Sequence, residues 1–241
     1  MRIDLFIFER GYAESRTEAK GFIVGGHVKV NGRTVTKPSF EVNESDVIEV
    51  DKSSKKYVSR GGFKLEAALG AFDVSPRGKR CIDVGASSGG FTDCLLQNGA
   101  ESVTAVDSGS GQMAASLRAD ARVNCIENFN ARYMSKDDFG EPFDMAVMDV
   151  SFISATYIIP ALREVLSEEA DFICLVKPQF EVGRSALGKG GIVKSQAARE
   201  SALKKVVDFA KSVGFSAVDN IESPIKGGDG NTEYLVHFKA R

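Results

Sequence analysis

Two histidines in 241 residues, His27 and His237, are too few for a histidine-based triad or a zinc hydrolase. Cysteine is sparse as well. Cys81, Cys94, Cys125 and Cys174 are scattered, form no CxxC pair and fall in apolar strand or helix patterns. They read as reduced core residues, which points to a cytoplasmic chain and away from a disulfide framework or a metal site. No apolar run approaches the roughly 18–20 residues that a bilayer span needs. The opening MRIDLFIFERG lacks the shape of a signal peptide, because Asp4 and Glu9 interrupt its apolar residues. Net charge is nearly absent too, at −2, but it is unevenly spread. The first sixty residues carry 11 basic and 9 acidic side chains, and the remainder 20 and 24. An excess that small does not establish nucleic-acid binding by itself. The length has room for one large domain and a small one.

What is present centres on residues 81–92, CIDVGASSGGFT. An apolar strand runs into Asp83, a loop of small residues follows from Gly85 to Gly90, and Phe91 opens a helical pattern. The loop is no P-loop, since no Gly-Lys-Ser/Thr follows. Its glycines also miss the dinucleotide spacing. An acid shortly before the first glycine is common in S-adenosylmethionine sites. There the carboxylate faces the ligand's ammonium while the loop packs under its methionine part. A tight strand-to-helix turn in another α/β protein is the alternative. SVTAVD then ends a second strand at Asp107, where an acid can accept hydrogen bonds from ribose hydroxyls. Asp107 can equally cap the helix after it.

The N-terminal sixty residues follow another pattern. IDLFIFERG reads as a helix closed by Gly11. Ser15 to Glu18 is a capping box that opens a second helix, which stops at Gly25-Gly26. Val28, Val30 and Val35 flank Asn31-Gly32, a two-residue hairpin signal. KPSFEV and DVIEV are expected to complete a small curled sheet. Arg10, Arg16, Lys20, Lys29, Arg33 and Lys37 fall between the core positions, available to phosphates or simply solvated. This order of parts resembles the S-four-type RNA-binding domain over residues 2–50. It implies docking on structured RNA that reads shape more than sequence. DKSSKK follows as a polar, basic linker.

In the remaining chain, DMAVMDVSFIS is an apolar strand with Asp149 at its end. FICLVKPQFE (172–181) is another, running to Lys177-Pro178, and GNTEYLVHF is a last alternating strand with Glu233 near its start. Parallel α/β sheets place ligands outside the C-terminal strand ends, which sets Asp149 and Lys177 beside the glycine loop. A lysine inside ICLVKP stands where a sheet would otherwise stay apolar. Leu203, Val206, Val207, Ala210 and Val213 form a helical core stripe. GRSALGKGGIVK is either an RNA clamp or an ordinary crossover loop.

The ordered set Lys64, Asp149, Lys177 and Glu233 resembles the K-D-K-E tetrad of FtsJ-like ribose methyltransferases. YVSRGGFKLEAAL, DVGASSGGFTDCLLQNGA, FNAR, MDVSFIS, LVKPQFEVGR, GKGGIV and GNTEYL resemble the hemolysin A (TlyA) family. That family joins an S-four-type domain to an FtsJ-like domain. The resemblance implies an S-four-type α+β domain over 1–50, a linker over 51–59 and a Rossmann-like class I methyltransferase domain over 60–241. The latter is α/β, with a seven-stranded, mostly parallel sheet and a final antiparallel hairpin (215–222 with 232–239). It implies methyl transfer from S-adenosylmethionine to the ribose 2′-hydroxyl of cytidines in ribosomal RNA.

In that scheme Lys177 takes the hydroxyl proton, Asp149 holds its amine, Lys64 stabilises the developing alkoxide and Glu233 orients Lys64. Asp83, Gly85, Ala86, Ser87, Ser88, Gly89, Gly90, Phe91, Asp107, Asn130 and Asp149 would hold the cofactor. Arg60 would join the basic residues of the first domain on RNA. The partners would be ribosomal subunits, with no metal and no membrane, and the protein a monomer or weak dimer. Two alternatives remain. One is a cytolysin, which needs an amphipathic barrel strand or a membrane helix. The other is a ribosome-assembly factor without catalysis, against which the intact tetrad argues.

Overall fold

In the computed structural model, which describes residues 1–13, 15–51 and 56–241, Ile3–Glu9 forms helix α1 and Arg16–Val24 forms helix α2. Ser15 opens α2 as its composition demands: its Oγ accepts a hydrogen bond from Glu18 N–H at 3.1 Å. Val28–Val30 (β1) and Arg33–Thr34 (β2) then form a hairpin. Asn31 and Gly32 both take positive φ, at 51° and 77°, as the tightest hairpin turn requires. Ile48–Val50 (β3) pairs antiparallel with the other edge of β1. Ile3, Ile7, Ala19, Ile23 and Val28 are fully buried between helices and sheet.

The expected strand KPSFEV does not form. Pro38 has no N–H for a ladder, and Phe40 N–H turns back onto Lys37 O at 2.9 Å. Only an isolated bridge between Arg2 and Glu41 remains. Asp4 is another departure from a simple core, fully buried yet bonded by Arg2 at 2.9 Å and Arg16 at 3.1 Å. Burial opposes its ionisation, but the two guanidinium groups outweigh that and hold the carboxyl below its ordinary value.

The chain divides into two compact units, Met1–Lys56 and Tyr57–Arg241. Residues 52–55, within the expected linker, lie outside the described residues. The second unit alternates strands and helices. Gly61–Phe72 (α3) precedes Arg80–Val84 (β4), Gly90–Gln97 (α4), Ser102–Val106 (β5), Ala115–Arg118 (α5) and Val123–Ile126 (β6). Phe143–Met148 (β7), Ile159–Glu164 (α6), Leu166–Val176 (β8), Pro178–Glu181 (α7) and Gln196–Ser212 (α8) follow, then Phe215–Glu222 (β9) and Tyr234–Ala240 (β10). The sheet order is β6-β5-β4-β7-β8-β10-β9. The first five strands in that order are parallel, and β10 is antiparallel to both β8 and β9. The seven-stranded, mostly parallel sheet with its terminal hairpin is therefore present.

Side chains of successive strand residues serve opposite layers. Leu65, Leu69, Cys94 and Leu95 of α3 and α4 pack with Cys81 and Val103 on one face. Ile159, Leu162, Val206 and Ala210 of α6 and α8 pack with Ile82 and Phe172 on the other. Cys81, Cys94 and Cys174 are buried, and burial pushes the Cys81 thiol up to about 12, so it stays an inert core group. The strand expected to run from Phe172 to Lys177-Pro178 starts earlier, at Leu166, and ends at Val176. Pro178 ends the ladder and fits the first turn of the short α7. Among the described residues no helix is long and apolar enough to cross a membrane.

Candidate active site

From β4 the strand order runs one way through β5 and β6, and the other through β7 and β8. Ligands bind at such a reversal, outside the carboxyl ends of the strands. A cleft of about 280 Å³ opens there. Ser59, Arg60, Gly61 and Lys64 line it from the start of α3, and Gly85, Ala86, Ser87, Ser88, Gly90 and Phe91 from the glycine loop. Asp149, Ser151 and Lys177 line it from the ends of β7 and β8.

The loop needs its glycines for space. A Cβ on Gly85, which has φ +84°, would stand 2.5 Å from Asp149 O, so no larger residue lets β4 and β7 approach this closely. Gly89, at φ +93°, supplies the left-handed residue that starts α4.

Two ion pairs flank this loop. Lys64 Nζ lies 2.5 Å from Glu233 Oε2, and both residues are buried. Glu233 does not line the cleft and stands behind the lysine. Lys177 Nζ lies 2.5 Å from Asp149 Oδ1 and donates to Ser151 Oγ at 2.8 Å. Four residues distant in sequence thus meet as two carboxylate-held amines, with Lys64 and Lys177 facing one cleft.

The acids expected at the cofactor are placed less directly. Asp83 is fully buried, outside the cleft lining, and accepts from Thr92 Oγ1 at 2.7 Å. Its Oδ1 has no hydrogen-bond partner among the described residues. Burial lifts this carboxyl to about 7, with the nearby charges of Asp149 and Asp107 adding to the effect and the Thr92 bond opposing it. Asp107 accepts from Ser87 N–H at 2.8 Å and from Gly109 N–H at 2.7 Å. It therefore clamps the glycine loop to the end of β5 and caps no helix, since Ala114 occupies the cap of α5. Asn130 accepts from Arg132 N–H at 3.1 Å and caps a short turn, away from the cleft lining.

Ser59, Gly61 and Ser151 were not singled out by sequence reasoning. Ser151 stands two residues after Asp149, a proximity that could have marked it. Phe152 was missed too: it is 92% exposed at φ 65°, and its ring sits 5.3 Å from that of Phe180.

The basic residues of the first unit differ in availability. Lys20, Lys29 and Arg33 are exposed. Arg10 stacks over Phe6 at 5.2 Å and lies 3.7 Å from Glu44, while Arg16 is committed to Asp4. Arg60, expected on RNA, lines the cleft.

The cleft, bounded by main chain and with Asp149 on its wall, suits a ligand that carries a cationic group. Gly85 and Gly90 line it with main chain packed tightly against Asp149 and Ser59, and Asp83 keeps a carboxyl oxygen without a partner next to the loop. S-adenosylmethionine fits that description.

Residues 57–240 match the family model for FtsJ-like methyltransferase, and residues 1–48 match that for the S4 domain. The chain is 44% identical to hemolysin A of Brachyspira hyodysenteriae, over 99% of both chains. It is 41% identical to the 16S/23S rRNA (cytidine-2′-O)-methyltransferase TlyA of Mycobacterium tuberculosis strain H37Rv, over 100% of this chain and 90% of that one. A solved structure from Streptococcus thermophilus, described as a hemolysin, superposes with a TM-score of 0.80. It is 42% identical and covers 100% of this chain and 88% of its own.

Proposed function

The chain belongs to the FtsJ-like methyltransferase family, and we propose that it methylates the ribose 2′-hydroxyl of cytidines in ribosomal RNA, using S-adenosylmethionine. The observation that carries the reading is the pair of carboxylate-held lysines beside the glycine loop at the strand-order reversal.

In this reading the loop from Gly85 to Phe91 holds the cofactor. Asp107 keeps the loop in place, and Asp83 leaves a carboxyl oxygen without a partner at the strand end that feeds it. The bound cofactor supplies an electrophilic methyl group on a positively charged sulfur. A ribose hydroxyl is a weak acid and must lose its proton as it attacks. Lys177, reacting as its neutral amine, receives that proton and becomes the ammonium that Asp149 and Ser151 hold in place. Lys64 places a positive charge against the developing alkoxide. Glu233 fixes Lys64 through a short, charge-assisted bond. Phe152 offers an exposed ring at the end of β7 on which an unstacked base can lie.

The S4 domain supplies affinity for structured RNA through Lys20, Lys29 and Arg33, and the enzyme works on ribosomal subunits in the cytoplasm. The test is transfer of labelled methyl groups to each isolated subunit, followed by mapping of the modified nucleotide. Wild-type protein should modify a ribose, and Lys177→Ala should transfer roughly 10²–10⁴-fold more slowly with its cofactor affinity intact. Equal single-turnover rates for the two proteins would remove Lys177 from the chemistry.

A further inference from the structure

Glu181 lies one helical turn beyond Lys177 and is only 8% exposed. Its Oε1 accepts from Ala155 N–H at 2.7 Å, and its Oε2 accepts from Ser154 Oγ at 2.6 Å. Lys205 of α8 completes the set. Its ammonium donates to Glu181 Oε2 at 3.0 Å and to the Glu181 carbonyl at 3.1 Å. A carboxylate withdrawn from water this far persists only with such partners.

These bonds join the two segments that also meet at Lys177, residues 149–155 and 177–181. At one end of the first segment, Asp149 N–H donates to Val84 O at 3.0 Å and fixes the chain to β4. At the other end, Ser154 and Ala155 are fixed by Glu181. Between the anchors the chain turns through Phe152 at φ 65°, which a phenylalanine holds only when its surroundings impose it. Ser151, the residue before that turn, bonds Lys177 Nζ.

We infer that Glu181 is a positioning residue for methyl transfer: by anchoring Ser154 and Ala155 it holds the 150–153 turn, and so keeps Ser151 on the Lys177 amine. The inference rests on the methyltransferase reading above. Without the carboxylate the turn is anchored at one end, and Ser151 and Phe152 drift relative to Lys177. The glycine loop shares no bond with Glu181 among the described residues, so cofactor binding is separate from the clamp.

The experiment uses the full chain, at a temperature where circular dichroism shows every variant folded. It measures the single-turnover rate, the calorimetric Kd for S-adenosylmethionine and hydrogen exchange at residues 150–153. Glu181→Ala should slow transfer roughly 10–100-fold, the cost of a small misplacement of reacting groups. Its cofactor Kd should stay near that of the wild type, and exchange at 150–153 should rise. Glu181→Gln should recover part of the rate, because its amide oxygen still accepts from Ala155 N–H while its NH2 can donate to Ser154 Oγ. Ser154→Ala, a milder lesion, should fall between the two. Wild-type rate and exchange in Glu181→Ala, or a Glu181→Gln as slow as Glu181→Ala, overturn the inference. A wild-type protein that transfers no methyl group overturns the functional reading instead.

Discussion

Lys64 and Glu233 stand 169 positions apart in the chain and 2.5 Å apart in space. Both are buried, and each compensates the other's charge. Removing one partner of a buried pair strands the other charge, at about 3–5 kcal/mol. Glu233→Ala should therefore lower the stability of the second unit by that order in denaturant titration. Replacing both, as Lys64→Met with Glu233→Leu, should cost far less stability yet abolish methyl transfer. A double variant that retains turnover would make the pair purely architectural.

Asp107 gives a sharper test of the cofactor loop. It holds Ser87 N–H and Gly109 N–H, so Asp107→Ala removes two bonds to a charged acceptor. Each bond to a charged group is worth about 1.5–3 kcal/mol. S-adenosylmethionine affinity should fall at least tenfold by calorimetry, while transfer at saturating cofactor falls much less. Unchanged affinity would mean that the loop keeps its shape unaided.

The first unit should answer to Lys20, Lys29 and Arg33 rather than to Arg16. Reversing these three to Glu should weaken subunit binding. It should also flatten the dependence of log K on log salt by about 0.9 for each phosphate no longer neutralised. Arg16→Glu should act differently, because it sets a second carboxylate against the buried Asp4 and unfolds the unit. Binding titrations across salt, read beside thermal melts, separate the two effects. Equal slopes for triple variant and wild type would leave these side chains merely solvated.

Asp83 predicts a pH dependence whose sign is fixed. Its folded carboxyl titrates near 7, above the ordinary 3.8, so between these values the folded state holds a proton that the unfolded state has lost. The contribution to stability is complete below about pH 4 and declines as pH rises through about 7, by about 1.4 kcal/mol per pH unit in that window. Asp83→Asn should flatten the decline. Parallel denaturation midpoints for the two proteins from pH 4 to 8 would contradict the burial of a proton there.

The catalytic unit was legible because each strand announces its end. Apolar runs stop at Asp83, Asp107, Asp149 and Lys177, and a parallel sheet brings all its C-terminal strand ends to one edge. Local pattern failed where geometry is set by partners remote in sequence. Nothing in KPSFEV itself shows that Lys37 and Phe40 close a turn. Arg16 looks free along α2 and is not, because Asp4 reaches it from α1. Phe152 owes its exposure to a positive φ that no phenylalanine signals. Glu181 reads as an ordinary acid after Lys177-Pro178 until α8 brings Lys205 against it.

The insertion of β10 between β8 and β9 governs how the enzyme is made. Glu233 and β10 follow every other strand of the sheet in the chain, yet β10 must enter beside β8, which is synthesised well before it. On the ribosome the preceding strands can assemble while β8 still awaits its neighbour, as an open edge. The lysine at the start of α3 waits just as long for its carboxylate. A nascent chain therefore lacks the buried Lys64–Glu233 pair until Glu233 has emerged, and one cut short before it carries both lysines but only one pair.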